Sequence, residues 1–260
     1  MAKRKTIWIT GASSGLGWEI ALEAGKKGYR TVLLARNTKK LYELQKLIEE
    51  LGGEAHVYSF DVSKPEMITK VTKKIMTEVG QIDVLINNAG FGVFERVEST
   101  NIKNVEEMFA VNVIGLIALT KQILPYLLEQ NSGHIINIAS QAGKLSTPKS
   151  SVYAATKHAV LGFTNGLRLE LHDQKIHISA VNPGPIKTAF FERADQEGTY
   201  VKNVEKWMLD AQEVAKATIR LIEKPKRELN LPRWMNVGTT LYQLMPGIIE
   251  RVGGKRFNQK

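Results

Sequence analysis

"TIWITGASSGLG", residues 6–17, decides how the rest of the chain is read. Thr6–Thr10 are β-branched or aromatic throughout, the composition of a strand. Behind them stand Gly11, Gly15 and Gly17, spaced G-x-x-x-G-x-G, where a strand gives way to a helix. Without β-carbons the backbone can turn tightly and approach a pyrophosphate closely. The helix N-terminus that follows offers free N–H groups and a partial positive charge. Three glycines could equally make a tight turn with no ligand; their place behind the first strand favours nucleotide binding.

Outward from this segment, short β-rich runs alternate with longer helical patterns. The runs are "TIWIT" (6–10), "RTVLLA" (30–35), "EAHVYSF" (54–60), "IDVLIN" (82–87), "GHIINIAS" (133–140), "KIHISAVN" (175–182) and "RELNL" (227–231). The first six are mostly apolar on both faces, as parallel strands covered by helices are. The expected fold is α/β: a doubly wound, seven-stranded, mostly parallel sheet with helices on both faces. Helix candidates include "TKKLYELQKLIEEL" (38–51), closed by Gly52 and Gly53. No linker composition appears before about residue 230, so residues 1–260 read as one domain.

Composition excludes several function classes. The chain is 43% hydrophobic and 24% charged, with a mean hydropathy of −0.18, ordinary for a soluble globular protein. No membrane span and no signal-peptide core is expected. There is no cysteine, and the five histidines lack ligand spacing, so no metal site is expected. The net charge of +10 sits at the ends. Lys3, Arg4 and Lys5 open the chain, and from Lys224 onward eight basic residues face only Glu228 and Glu250. A nearly neutral body without a nucleic-acid motif argues against nucleic acid as a partner.

The second run ends "LLARN". Folds that prefer NAD carry an acidic residue near this point to bind the ribose 2′-OH. Here Arg36 stands instead, suited to a 2′-phosphate, so the expected cofactor is NADP(H). Ser13, Asn37, Lys39 and Lys40 could assist. Further on, "SVYAATKHAV" (151–160) places Tyr153 and Lys157 one helical turn apart on one face. By itself the pair is either a surface decoration of the helix or a proton donor with the charge that tunes it. A free phenol, with a pKa near ~10, is mismatched to neutral pH. The Lys157 ammonium is therefore expected to lower the Tyr153 pKa.

Taken together, these motifs resemble the short-chain dehydrogenase/reductase family in its shorter form, from residue 5 to about 231. "TGASSGLG" (10–17) is similar to its glycine motif, and Asp61-Val62 to the pair at the adenine ring. "NNAG" (87–90) matches the cofactor-lining end of the fourth strand, Asn112 the family's helix-kinking asparagine. Ser140 followed by Tyr153-x-x-x-Lys157, and "PGPIKT" (183–188), complete the order. The resemblance implies a Rossmann-type fold with Asn112, Ser140, Tyr153 and Lys157 as catalytic residues. It implies cofactor contacts from Gly11, Ser13, Ser14, Gly15, Leu16, Gly17, Arg36, Asp61, Val62, Asn88, Ala89, Gly90, Tyr153, Lys157, Pro183, Gly184, Ile186 and Thr188. Tyr153 would be the acid/base and Ser140 would hold the substrate oxygen. Asn112 would extend a proton relay through a water near Lys157, and Thr188 would hold the nicotinamide carboxamide.

The resemblance also makes about 188–210 a mobile substrate lid. Its Phe190, Phe191, Tyr200, Val201, Trp207, Met208 and Leu209, with Phe91 and Phe94 nearby, either cover an apolar substrate or pack against the body or a neighbouring subunit. Beyond Pro232 the resemblance thins. The extension, about 232–260, carries helically spaced apolar residues from Val237 to Val252, interrupted at Pro246-Gly247, beside Arg233, Arg251, Lys255 and Arg256. Packing beside the substrate cleft or at a subunit contact is preferred over a membrane-surface helix. The expected protein is a cytoplasmic, homo-oligomeric (dimeric or tetrameric) reductase of small-molecule carbonyls or the corresponding alcohol dehydrogenase. The rival from another class is a non-catalytic NADP(H)-binding regulator on the same fold.

Overall fold

Seven strands form one parallel sheet: β1 (Thr6–Thr10), β2 (Arg30–Ala35), β3 (Glu54–Ser59), β4 (Val84–Asn87), β5 (Gly133–Ile138), β6 (Ile176–Pro183) and β7 (Glu228–Leu231). The computed structural model describes residues 4–195 and 197–257, the last six through their backbone alone. Lys3 and Gln196 lie outside the described residues, as do the side chains of Val252, Lys255 and Arg256. The spatial order is β3-β2-β1-β4-β5-β6-β7. The winding reverses between β1 and β4, which opens a crevice beyond the carboxyl ends of those two strands.

Alternation along each strand divides the core in two. Ile7 and Ile9 of β1 face one way with Leu33, Ile86, Ile136 and Val181. There they meet helices α1 (Gly15–Lys26), α2 (Thr38–Glu50) and α9 (Ala211–Glu223). Trp8 points the other way with Val32, Leu34, Leu85, Ile135 and Ile178, against α3 (Pro65–Glu78), α5 (Leu116–Glu129) and α6 (Ser151–Glu170). Both faces are covered, which is why the strands read as unbroken apolar runs. The helix ends follow local chemistry. The Asn37 side chain accepts the Lys40 N–H at 3.1 Å to start α2, and Gly52, at φ +79°, closes it.

β1 and β2 fall on the expected runs; the other runs differ from the paired strands by one or two residues at an end, two at β4, which begins at Val84, and two at β5, which ends at Ile138. Three local findings go further than the sequence reading. First, α4 (Ile102–Phe109), a π turn (Ala110–Gly115) and α5 form one continuous helix. By length and hydropathy it is apolar enough to cross a membrane, against the expectation that no stretch is. Its Met108, Leu116, Leu119, Ile123 and Leu127 are buried in the fold, so its apolar character serves the core. Second, the expected lid is helical: α7 (Phe190–Ala194), α8 (Thr199–Val204) and a 3₁₀ turn (Glu205–Trp207). Its far end is pinned by a bridge between Leu209 and Ile186. Third, the extension forms α10 (Arg233–Leu244) and α11 (Pro246–Phe257), parted at the proline, which is tolerated as a first helical residue.

Candidate active site

The glycine loop sits where the winding reverses. Gly11 and Gly15 adopt φ of +68° and +54°, a region that costs other residues strain. The Gly11 N–H donates to Leu34 O at 2.7 Å. A β-carbon on Gly11 would lie 2.9 Å from Ala89 Cα. Thr10, which sequence reasoning passed over, fixes this contact. Its hydroxyl accepts the N–H groups of Asn88 and Ala89, both at 2.9 Å, and the Asn88 amide donates to Thr10 O at 2.9 Å.

Gly17 is held by packing. It is buried in α1 away from the crevice, and a β-carbon there would run into the Gly11 carbonyl and the Asn88 amide. Its observed role is close packing of helix on loop. Gly17→Ala should therefore cost about 1–3 kcal/mol of stability by overpacking, read as a lower urea midpoint. An unchanged midpoint would refute the packing role.

The remaining expected cofactor residues converge. Gly11, Ser13, Ser14, Gly15, Leu16, Arg36, Asp61, Val62, Asn88, Ala89, Gly90, Pro183, Gly184, Ile186 and Thr188 line one cleft of about 1370 Å³ with Ser140, Tyr153 and Lys157. That exceeds the ~300–1,000 Å³ typical of small-ligand sites, leaving room for a dinucleotide and a second molecule. Arg36 follows β2, exposed and in no salt bridge among the described residues. Burial raises the pKa of Asp61, but Ser63 donates to its carboxylate from N–H (3.0 Å) and hydroxyl (2.7 Å). With Arg36 and Lys64 nearby, the net result lies below the usual carboxylate range. Among the described residues no His/Cys/Asp/Glu cluster could hold a metal.

Ser140 follows β5 in extended conformation and starts a 3₁₀ turn, its hydroxyl accepting the Ala142 N–H at 3.0 Å. That hydroxyl donates to Pro183 O at 3.4 Å and lines the cleft with the Tyr153 phenol, whose pKa it pulls downward. Tyr153 and Lys157 share the cleft-facing side of α6, both buried. Lys157 Nζ donates to Ile138 O at 2.9 Å and lies 5.8 Å from the centre of the Tyr153 ring.

The expected lowering of the Tyr153 pKa is corrected. Burial pushes the phenol well above its ordinary value, outweighing the Ser140 hydroxyl that opposes it. Burial also pulls Lys157 down to about 8. Desolvation penalises both charged forms, so Lys157 does not by itself make the phenol acidic.

Asn112 is buried behind the cleft wall, and its Oδ1 and Lys157 Nζ both lie close to Gly90, 3.1 and 3.6 Å from where a β-carbon on it would stand. The Asn112 amide nitrogen donates to Phe91 O (2.8 Å) and Thr156 Oγ1 (3.1 Å), and its oxygen accepts the Phe91 N–H (3.0 Å). The side chain is spent on holding the Gly90–Phe91 segment to α6. It stands in the π turn, a distortion often found at functional sites.

Over Tyr153 closes an aromatic cover. Phe94 and Phe190 each stand 5.7 Å from its ring, and Phe94 meets Tyr200 edge-on at 5.0 Å. Gly92 makes this possible, since a β-carbon there would lie 3.0 Å from Tyr153 Cδ2 and 3.1 Å from Phe190 Cζ. The two alternatives for the lid divide: Phe190, Phe191, Tyr200 and Trp207 line the cleft, while Leu209 packs on the body beside Ile186. Arg193 of the lid lies 3.6 Å over the Phe91 ring and pairs with Glu107 at 2.7 Å. Sequence reasoning missed individual residues of the last wall: Trp234, Met235, Gly238 and Thr239 of α10 line the cleft. The residue spacing of α10 carried no sign of which face would turn inward.

The family model for short chain dehydrogenases matches residues 5–198. An uncharacterized oxidoreductase of Staphylococcus epidermidis is 34% identical, over 86% of this chain and 93% of the relative. The dehydrogenase/reductase SDR family member 7B of Mus musculus is 33% identical, over 98% of this chain and 81% of its own. Among solved structures, an alcohol dehydrogenase of Thermococcus sibiricus complexed with 5-hydroxy-NADP superposes with a TM-score of 0.78 at 28% identity, over 88% of this chain and 95% of that one. The chain belongs to the short-chain dehydrogenase/reductase family of oxidoreductases, which work with a nicotinamide dinucleotide.

Proposed function

We propose that this protein is an NADP(H)-dependent reductase of apolar ketones or aldehydes, with Tyr153 as its acid/base. One observation carries the reading: the Ser140 hydroxyl, the Tyr153 phenol and the Lys157 ammonium meet in the wall of a cleft whose floor is a glycine turn and whose roof is aromatic. The residues fit the cofactor. The positive-φ glycines leave a backbone cradle for a pyrophosphate, and the exposed Arg36 stands where a 2′-phosphate would lie. A relative of known structure carries an NADP derivative.

Bound NADPH supplies the hydride for the carbonyl carbon. The protein's own groups do the rest. Ser140 and Tyr153 hold the carbonyl oxygen by hydrogen bonds that strengthen as negative charge develops there, and Tyr153 gives that oxygen its proton. Lys157 stabilises the phenolate left behind and holds a ribose hydroxyl. The Lys157 charge, together with that of an oxidised nicotinamide when one is bound, would offset the desolvation that raises the phenol. Asn112 is a positioning residue, keeping Gly90 and α6 in register. The aromatic cover excludes water and favours an apolar substrate.

Arg36→Ala tests the cofactor choice. Losing charge-assisted hydrogen bonds of about 1.5–3 kcal/mol should raise KM for NADPH roughly 10–100-fold and leave NADH nearly untouched. Steady-state kinetics with both nucleotides and a soluble aromatic aldehyde decide it. Equal effects on the two would remove Arg36 as the phosphate reader.

A further inference from the structure

Helix α10 has two faces. Met235, Gly238 and Thr239 turn into the cleft. Trp234, Val237, Leu241 and Leu244, spaced three, four and three apart, form an exposed apolar stripe that Met245 and Ile248 continue. Leu244 is 73% exposed. The stripe begins at the cleft rim, where Trp234 and Trp207 meet edge-on at 5.5 Å, each lining the cleft and more than half exposed. So large a contiguous apolar surface calls for a partner.

Charge says which. From Arg233 to Lys260 the sequence holds five basic residues against Glu250 alone; among the described side chains Arg233 and Arg251 lie exposed on these helices and Lys202 and Lys206 on the adjoining lid, against exposed Glu205 and Glu250. A second copy meeting this face symmetrically would set like charges against each other. A protein seated on it would cover the cleft rim. Aliphatic residues with tryptophan, flanked by arginine and lysine, match the depth-ordered chemistry of a bilayer interface.

We infer that the outward face of α10 and the start of α11 dock the protein on an anionic lipid surface, with the cleft mouth turned toward the bilayer. Apolar substrates dissolved in the lipid then enter past Trp207 and Trp234 without crossing water. This last step rests on the reductase reading; the docking itself does not.

The test is co-sedimentation with phosphatidylcholine vesicles, with and without about one third phosphatidylserine. At low salt the anionic vesicles should bind the full chain roughly tenfold or more tightly than the neutral ones, and high salt should weaken this. In Leu241→Glu/Leu244→Glu the binding should be lost. Reduction of a soluble aldehyde should be unchanged, because neither residue lines the cleft. Wild-type protein that stays in the supernatant overturns the inference, as does binding that survives the double substitution. A wild-type dimer that dissociates in the double variant, without vesicle binding, reassigns the face to a subunit contact. Vesicle binding by a chain without reductase activity upholds docking and rejects the proposed function; the converse result does the opposite.

Discussion

Tyr153→Phe lowers kcat for carbonyl reduction roughly 10²–10⁴-fold, the range expected when a positioned proton donor is removed, and leaves NADPH affinity within a few-fold. The ring stays, so its edge contacts with Phe94 and Phe190, 5.7 Å away, persist. Only the hydroxyl, which faces Ser140 in the cleft wall, is lost, at no more than about 1 kcal/mol of stability. Without it the developing alkoxide keeps the Ser140 hydrogen bond but has no acid within reach, since Lys157 Nζ is turned to Ile138 O. NADPH absorbance gives the rate, and fluorescence titration of the nucleotide gives the affinity. A variant that binds NADPH and reduces substrate at the wild-type rate would take Tyr153 out of the chemistry. One that no longer binds NADPH would make its role structural.

The fold was legible because its signals are local. β1 and β2 fall on the expected residues, and α2 starts at Thr38 as its pattern implies. The site was legible where motif and strand end coincide, as at Ser140 and Gly11. What escaped depends on contacts between distant segments. That Gly17 packs helix on loop follows from the Gly11 carbonyl and the Asn88 amide standing over it, the second seventy-one residues away in sequence. That α10 walls the cleft follows from Met235 meeting Gly184, whose β-carbon would lie 2.8 Å from Met235 Sδ. Asn112 carries a motif identity, yet only the fold shows its amide fully engaged by Phe91 and Thr156. Helix hydropathy misleads in the same way: residues 102–129 resemble a membrane span until the sheet beneath them is known.

The sign of the Tyr153 shift escaped for a related reason, and it leads to the second large effect. Spacing shows that Lys157 is near the phenol but not how dry the pair is. Burial lowers the Lys157 pKa from 10.5 to about 8, so the unfolded chain holds this proton more tightly than the folded one. Below pH 8 both states are protonated and the fold bears the whole desolvation cost, about 3 kcal/mol at ~1.4 kcal/mol per unit. Between 8 and 10.5 that cost falls, and stability from this group rises with pH. Lys157→Met removes the charge while filling similar space, and forfeits about 1 kcal/mol with the Ile138 O hydrogen bond. The free protein should therefore gain about 1–2 kcal/mol near neutral pH, while kcat/KM falls more than ~10²-fold because nothing then stabilises the phenolate. Urea denaturation near pH 7 and near pH 10 separates this from ordinary repacking: the advantage of the methionine variant should be present at the first and mostly gone at the second. A variant less stable than wild type at neutral pH, or an advantage indifferent to pH, would mean that Lys157 is not held in the fold as a desolvated cation. If the expected pattern is found, the lysine is kept against the interest of the fold, and the interaction that repays its burial is the one it makes with the phenolate and the nucleotide during turnover.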